Sequence, residues 1–569
     1  MNTFGFTAII NKLSHLNYEL LKGYKQIVTE CDVCVSHPNS KFSEDKLCEE
    51  NERYILLLDG VILNKRKLMD EHNYTDWFGY LIQLYESNGD IFFEVLRGSF
   101  CGILIDKLSQ RTLLFTDHIG SKFLYYSQFG ETLFCSTLIR YLYQLRHSNH
   151  MHCTLSEQGA VMLLTYGFML ENFTLCEEIK KVQPGCYVVF EKGRVSEHRY
   201  CMLDNTPDFS ITEADAIEIY DQEFRRAVAL EFEKDKECGY NQHLVALSGG
   251  LDCRMTSWVA HEMGYTNQLN LTFSQSNYWD EIIPKEIAAD LGHEWIFKAL
   301  DNGIWLYNLD NVLEITGGNV LYYGQAHSMS LMKYLDFNNW GGIYHSGQLG
   351  GGVMGSHTPK NGIPFSYGDG AYSKKYIHLL DTTNLLNYPD KEIGIYYCRL
   401  FNGTMQGQII QYSFTETTAP FIEWDLMNKL KKIPSNLKYN GDLYKKWIIT
   451  KYPHAADYVW ESIGDKITSP TITIAGRTKT LRQWTNSIAR RLHLMNNDIN
   501  SKHHMNPIGY YIENNPNLRK FINNILSDVN LINNRTIHRI VTEIIETGTS
   551  MEKIQAVTLV RAVKMFGLE

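Results

Sequence analysis

The sequence lacks any long apolar run. Nothing in it reaches the roughly 18–20 residues of a membrane-crossing helix, and the best short run, 54–63, is broken by Asp59. It also lacks a basic start followed by a cleavable apolar core, so no secretion signal is expected. Its 12 cysteines are thinly scattered over 569 residues, the pattern of a reducing compartment and not of a disulfide scaffold. Cys31 and Cys34 have C-x-x-C spacing with Cys48 beyond, but a four-ligand zinc site needs more partners, so they read as ordinary thiols. Positive charge is in deficit: 54 Lys and Arg against 64 Asp and Glu leave a net charge of -10, which argues against a general nucleic-acid binder. The expectation is a cytoplasmic protein with neither membrane nor nucleic acid as partner.

What is present is globular. Hydrophobic residues make up 44% and aromatic residues 12%, so large rings will fill much of the core. A single core stops growing near ~250–300 residues, so two or three domains are expected. Up to about residue 200 the chain alternates short apolar runs with turns such as Asp59-Gly60 and Pro184-Gly185, which reads as antiparallel sheet. Two segments, 76–86 and 156–166, have the spacing of amphipathic helices. Past the polar turn at 204–208 the character changes. A helical stretch (213–232) leads into a strand (243–247), a glycine turn, a helix (255–263), a strand (268–273) and a helix (281–291). That alternation implies a parallel sheet with crossover helices. Beyond about 370 the pattern is mainly helical.

The chemistry concentrates in LVALSGGLDCRM, 244–255. A parallel strand ending in a glycine turn and a helix presents unpaired N–H groups and the positive end of a helix dipole at the sheet's carboxyl edge, where anions bind. Gly249 and Gly250 let a polyphosphate approach without a Cβ clash, Ser248 adds a hydroxyl donor, and Asp252 is placed to hold the Mg²⁺ that travels with ATP. The lysine and spacing of the G-x-x-x-x-G-K-[ST] loop are missing. A bare S-G-G would also suit a plain turn with serine as N-cap; the full SGGLD string after an apolar strand favours a phosphate loop.

This string resembles the pyrophosphate loop of the ATP pyrophosphatases, with Cys253 where serine is common. Within that superfamily the chain is most similar to asparagine synthetases. The resemblance is carried in the family's order by RYILLLDGVILNKRKL (53–68), LRGSFCGILID (96–106), TDHIGSKFLYY (116–126), IKKVQPGCYVVF (179–190), WDEIIPKEIAADLG (279–292), TAPFIEWDL (418–426) and LYKKWII (443–449). It implies an α+β N-terminal Ntn-hydrolase-like sandwich over 1–208, of glutamine amidotransferase type. A Rossmann-like α/β ATP pyrophosphatase domain with a parallel sheet follows over 209–470, and then a helical C-terminal extension over 471–569, packed on the synthetase domain. It implies ATP bound by Leu247, Ser248, Gly249, Gly250, Leu251, Asp252 and Cys253, joined by Ser346, Gly347 and Gly350 of a second glycine-rich loop, with Mg²⁺ on Asp252 and Asp280 or Glu281. The catalytic lysine maps to Lys446, with Lys445 and Lys451 close by. Arg254 is a candidate for a carboxylate or phosphate, or for a structural ion pair.

The departures from the family shape the expectation. The sequence begins Met1-Asn2-Thr3, without the family's N-terminal nucleophilic cysteine, and no other side chain here supplies a thiolate beside a free amine. Asp59-Gly60 stands where the family has its Asn-Gly oxyanion hole, and a carboxylate there has the wrong sign. Thr116 replaces an arginine. In HSGQLGGGVMGSH (345–357), Gln348 replaces a glutamate, and Gly351 and Gly352 replace Asp-Glu, so a metal carboxylate and a candidate base are gone. The expected activity is an AMP-forming ligase that adenylates a carboxylate and makes an amide, using ammonia or a substrate's own amine and not glutamine. The carboxylate could belong to a small molecule such as aspartate, a peptide or a sugar. A macrolactam or β-lactam type cyclase, amidation of a surface-polysaccharide uronic acid, and a nucleotide- or partner-binding pseudo-synthetase are the alternatives. A homodimer through the N-terminal domain is what the resemblance suggests.

Overall fold

The computed structural model describes residues 4–13, 16–21, 25–37, 41–337, 339–360, 362–474, 477–491 and 504–569. The start, Met1-Asn2-Thr3, lies outside the described residues. The first 200 residues form strands β1 (Phe6–Ile10), β2 (Lys25–Val28), β3 (Val33–Ser36), β4 (Leu47–Glu50), β5 (Tyr54–Ile62), β6 (Gly98–Asp106), β7 (Arg111–Thr116), β8 (Tyr125–Phe129), β9 (Thr132–Ser136), β10 (Lys180–Lys181), β11 (Cys186–Glu191) and β12 (Arg194–Arg199). They make two antiparallel six-stranded sheets, ordered β10-β8-β9-β1-β3-β2 and β12-β11-β7-β6-β5-β4. Strand alternation sorts the side chains. Ala8, Cys34, Ile55, Leu57, Ile103 and Ile105 meet between the sheets. Leu56, Leu58, Leu104 and Leu113 point the other way, onto the helix Trp77–Asn88. On the first sheet, Ile9, Val33, Val35 and Phe134 face the helices Ile139–Ser148 and Glu157–Tyr166. The result is four layers: helix, sheet, sheet, helix.

The two expected helices are present, each begun by a side-chain cap. Asp76 accepts from Gly79 N at 3.0 Å, and Ser156 accepts from Gly159 N at 3.1 Å. The structure adds Lys65–Glu71 and Ile139–Ser148. The second, IRYLYQLRHS, is rich in strand-favouring Ile and Tyr. It is helical because burying Ile139, Leu142, Tyr143 and Leu145 on the sheet outweighs propensity.

The third sheet is fully parallel: β13 (His243–Ala246), β14 (Gln268–Ser274), β15 (Glu294–Ala299), β16 (Tyr344–His345) and β17 (Thr417–Thr418), ordered β15-β14-β13-β16-β17. Helix Glu213–Glu237, started by a Thr212–Asp215 capping box, precedes β13; Leu251–Glu262 and Trp279–Leu291 are its crossovers. Strand order reverses at β13 and β16, and ligand crevices open at such switch points beyond the carboxyl ends of the strands. The loops after these two strands are the glycine-rich segments the sequence singles out.

The last residues are helical, as expected, with two small hairpins (Val459–Trp460 with Asp465–Lys466, and Thr471–Ile474 with Arg477–Thr480) before Ile508–Asn514, Pro516–Leu526, Arg535–Thr547 and Ser550–Phe566. This extension packs on the second part, where Tyr511 abuts Gly303, and equally on the first. Phe566 stacks on Tyr143 at 4.5 Å, and Leu155 N donates to Glu569 O at 3.0 Å. All the cysteines are free of disulfides, with Cys31 exposed and Cys34 and Cys48 buried.

Candidate functional site

Strand β13 is fully buried and runs into Leu247, whose N–H and C=O are fixed to Leu271 O (3.1 Å) and Thr272 Oγ1 (2.7 Å) of β14. The chain then turns through Ser248, Gly249 and Gly250, and helix Leu251–Glu262 begins with no side chain capping it. Ser248 Oγ accepts from Gly250 N at 3.3 Å. A Cβ built on Gly250 would meet only that Oγ within 4 Å, so the space before the helix N-terminus is open to a ligand.

The second loop lies against the first. Ser346 O accepts from Thr256 Oγ1 (3.1 Å), and a Cβ on Gly347 would sit 2.4 Å from Cys253 N. On Gly350 it would sit 2.5 Å from Asp252 Cγ, so neither position tolerates a side chain. Gly351 N donates to Asp252 Oδ2 at 2.8 Å. Burial pushes the Asp252 carboxyl up to about 6, with the Gly351 N–H and the Tyr444 hydroxyl pulling the other way. The Cys253 thiol is pushed up to about 11 by burial and the neighbouring Asp252 charge. Gln348 points away from Asp252, donating to Thr404 O.

Asp280, in the first turn of Trp279–Leu291, accepts from Gly249 N at 2.7 Å. Burial also raises it to about 6, and the neighbouring Glu461 adds to the rise. Among the described residues neither Asp252 nor Asp280 has a cationic partner, so half-buried Asp252 and buried Asp280 meet the loop with their charge uncompensated. The donor set suits a hard divalent cation with oxygen ligands. Glu281 turns back to Asn277 N.

Two sequence-derived candidates fall elsewhere. Helix Asp442–Lys451 buries Leu443, Tyr444, Trp447 and Ile448, which leaves Lys445 and Lys446 on its outer side. Lys446 pairs with Glu213 at the surface, Lys445 with Asp442 (2.5 Å) and Lys451 with Glu218. The structure does not bring Lys446 to the loop; Tyr444 is the residue of that helix beside Asp252. Arg254 is fully buried and donates to carbonyls only, those of Gly249 (3.1 Å), Ala455 (3.1 Å), Tyr458 (3.4 Å) and Val459 (2.6 Å). It braces the loop and, among the described residues, pairs with no carboxylate. The hairpin it holds passes over Gly249, whose carbonyl accepts from Glu461 N at 3.1 Å, and carries Lys466 opposite Val459. Sequence reading missed both Tyr444 and this hairpin. The helical period of LYKKWII is a signal for the former; nothing local marks the latter.

In the sandwich, Asp59 is buried on β5 and ion-paired to Lys122, with Lys46 at 3.9 Å. Burial alone would raise its acid, but Lys122 and Lys46 outweigh it and hold Asp59 below the usual range. Both lysines also reach Glu416, beside β17, at 2.7 Å from Lys46 and 3.0 Å from Lys122. A cavity of about 560 Å³ opens at the end of the sandwich where β1 finishes, among turns carrying Asn11, Asp32, Lys107 and Lys192. None of the glycine-loop or charge-cluster residues lines it.

Residues 39–201 match the model of the glutamine amidotransferase domain. No curated protein matches the chain. Solved structures similar to it include the allosteric regulatory enzyme of purine biosynthesis (11% identity, 40% of this chain and 52% of that one, TM-score 0.23). Glutamine phosphoribosylpyrophosphate amidotransferase from B. subtilis is another (9%, 52% and 59%, 0.23), as is NAD+ synthetase from Burkholderia pseudomallei (12%, 44% and 98%, 0.18). The chain spans little more than half the length of the first two. Among the described residues no helix is long and apolar enough to cross a membrane.

Proposed function

We propose that the protein is an ATP-dependent carbon–nitrogen ligase that forms AMP and pyrophosphate, with an amidotransferase-like N-terminal part that has lost glutaminase chemistry. The observation that carries this reading is the paired-loop site: the open helix N-terminus behind Ser248, Gly249 and Gly250, faced by the 346–352 loop, with Asp252 and Asp280 uncompensated at its edge. Backbone N–H groups of these loops are suited to a polyphosphate. Mg²⁺ held by Asp252 and Asp280 would supply the positive charge that both the carboxylates and the polyphosphate require.

In the reaction, an oxygen of the substrate carboxylate attacks the α-phosphorus of ATP, and the bond to the bridging oxygen of pyrophosphate breaks. An amine nitrogen then attacks the acyl carbon, AMP leaves with the electron pair of the acyl–oxygen bond, and a proton from nitrogen goes to solvent. The protein's part is positioning and exclusion of water. The amidotransferase match over 39–201 supports amide formation. Asp59 supports the loss of glutamine hydrolysis, since an anion held by two lysines cannot stabilise an oxyanion. Ammonia or a substrate amine is the nitrogen source on this reading. Titration of Mg-ATP into the wild type and into Asp252→Ala tests the site. The variant should bind at least about tenfold more weakly, the effect of losing one charge contact of ~1.4 kcal/mol; equal affinity would refute it.

A further inference from the structure

Strand β16, which delivers the second glycine-rich loop, is only two residues long and pairs with β13 at two positions, Leu244 with Tyr344 and Val245 with His345. On its other side β16 has an equally short ladder to β17, continued by Ser346 N on Thr418 O at 2.9 Å. A buried side-chain clamp supplements it. Asp235, near the end of helix Glu213–Glu237, takes Ile343 N on Oδ1 at 2.8 Å, just before β16. Its Oδ2 lies 2.9 Å from His345 Nε2, at the end of β16, and 2.8 Å from His243 Nδ1, at the start of β13. Glu231, one turn earlier, completes the ring at 3.1 Å from His345 Nδ1, and Phe232 stacks on the His345 ring at 3.9 Å. All four polar side chains are buried. Gly342 is required for this approach, since a Cβ there would stand 2.1 Å from Asp235 Oδ1. His345 is covalently followed by Ser346, the first residue of the loop.

We propose that Asp235 is the positioning residue of the paired-loop site: one carboxylate, shared by His243 and His345, fastens β13 and β16 to each other and so sets the second loop against Asp252. The proposal rests on reading these loops as the nucleotide site. With both its ring nitrogens at carboxylates, His345 is held as an imidazolium. Burial opposes its charge, but Asp235 and then Glu231 outweigh burial and raise it to about 9. The other charged or titratable groups facing the clamp are His243 on β13, with Glu233 and Tyr265 beside it, Cys238 and Tyr240 just past the helix, and Lys41, which acts on Asp235 while donating to the carbonyls of Trp340 (3.2 Å) and Gly341 (2.7 Å). A group raised from 6.5 to about 9 on folding contributes stability that is complete below 6.5 and lost as pH climbs through 9.

Hydrogen exchange of the 346–352 amides, measured on the full chain without nucleotide, tests this independently of the ligase reading. Asp235→Asn should speed that exchange at least about tenfold while circular dichroism stays native. In the wild type the same loop should lose protection as pH passes 9, with His345 titrating there by ¹⁵N NMR. Glu231→Gln removes one partner of His345 but keeps Asp235; it should lower the His345 titration and loosen the loop, and it carries the test if Asp235→Asn fails to fold. Unchanged loop protection in a folded variant would overturn the proposal. A stoichiometric zinc ion bound through the ring nitrogens of His243 and His345, read by ¹⁵N NMR, would overturn it too, since His243, His345 and Asp235 would then be ligands and not hydrogen-bond partners. If loop protection falls as expected while no variant alters Mg-ATP binding, the clamp stands and the nucleotide reading of the loops fails.

Discussion

Asp252 is a half-buried acid with no counter-cation among the described residues, and it is raised to about 6. Below that pH it is neutral and above it anionic, so its capacity to hold a divalent cation should fall about tenfold per pH unit below 6. The rate of AMP formation should therefore show an acidic limb near 6, and Asp280, also near 6, should steepen it. A flat profile between pH 5 and 7 would disconnect these carboxylates from the chemistry. Lys446 makes the opposite prediction. It is about half exposed and pairs with Glu213 at the surface, an arrangement worth ~0–1 kcal/mol. Lys446→Ala should leave nucleotide turnover within about twofold and stability within ~1 kcal/mol, measured by steady-state assay and urea unfolding. The sequence contained the reason. Leu443, Tyr444, Trp447 and Ile448 fall on one helical face, which places Lys445 and Lys446 on the other. Motif alignment located the segment correctly in the chain but not the side that faces the loop.

At the scale of elements, the site depends on two loops lying in contact. Gly350→Ala would drive a Cβ to 2.5 Å from Asp252 Cγ and should push the loops apart. Mg-ATP binding should weaken by at least about tenfold while the overall fold, read by circular dichroism, persists. Gly239→Ala, where a Cβ meets nothing within 4 Å, controls for general glycine effects outside the loops; it tests backbone strain alone, because its φ is +80°. The strand–turn–helix around 244–262 was legible because an apolar run, two glycines and a helical period follow one another without ambiguity. Helix Ile139–Ser148 was not legible, because its tyrosines and isoleucine carry a strand signal that only the sheet beneath overrides. The clamp on β16 was also hidden: Asp235 and His243 are 8 residues apart, but His345 is 110 residues from Asp235, and no local pattern announces that they converge.

Across the whole molecule, the sandwich and the parallel sheet are joined by buried charge. Lys122, Lys46, Asp59 and Glu416 share one cluster, and Arg97 grips Asp425 through two bonds of 2.9 Å. Lys122 is raised because Asp59 and Glu416 outweigh its burial. Removing it as Lys122→Met leaves Asp59 and Glu416 to share Lys46 alone and should lower stability by about 3–5 kcal/mol in urea unfolding. Asp59→Leu added to it should recover part of that loss; a loss under ~1 kcal/mol would show that the cluster does not hold the two parts together. The broad division into an antiparallel first part and a parallel second part followed from strand spacing and helix alternation in the sequence. The joining was not readable, because the C-terminal extension returns to the first part, with Phe566 on Tyr143, and no single segment signals that return.

Ligase activity is read from the products of Mg-ATP incubated with the wild-type protein, a panel of carboxylates (aspartate, glutamate and uronic acids), and either ammonium or glutamine. AMP and pyrophosphate should form in equal amounts with one of those carboxylates and ammonium, with none above background when glutamine replaces ammonium. ADP and phosphate, or an amide made equally well from glutamine, would contradict the proposed activity.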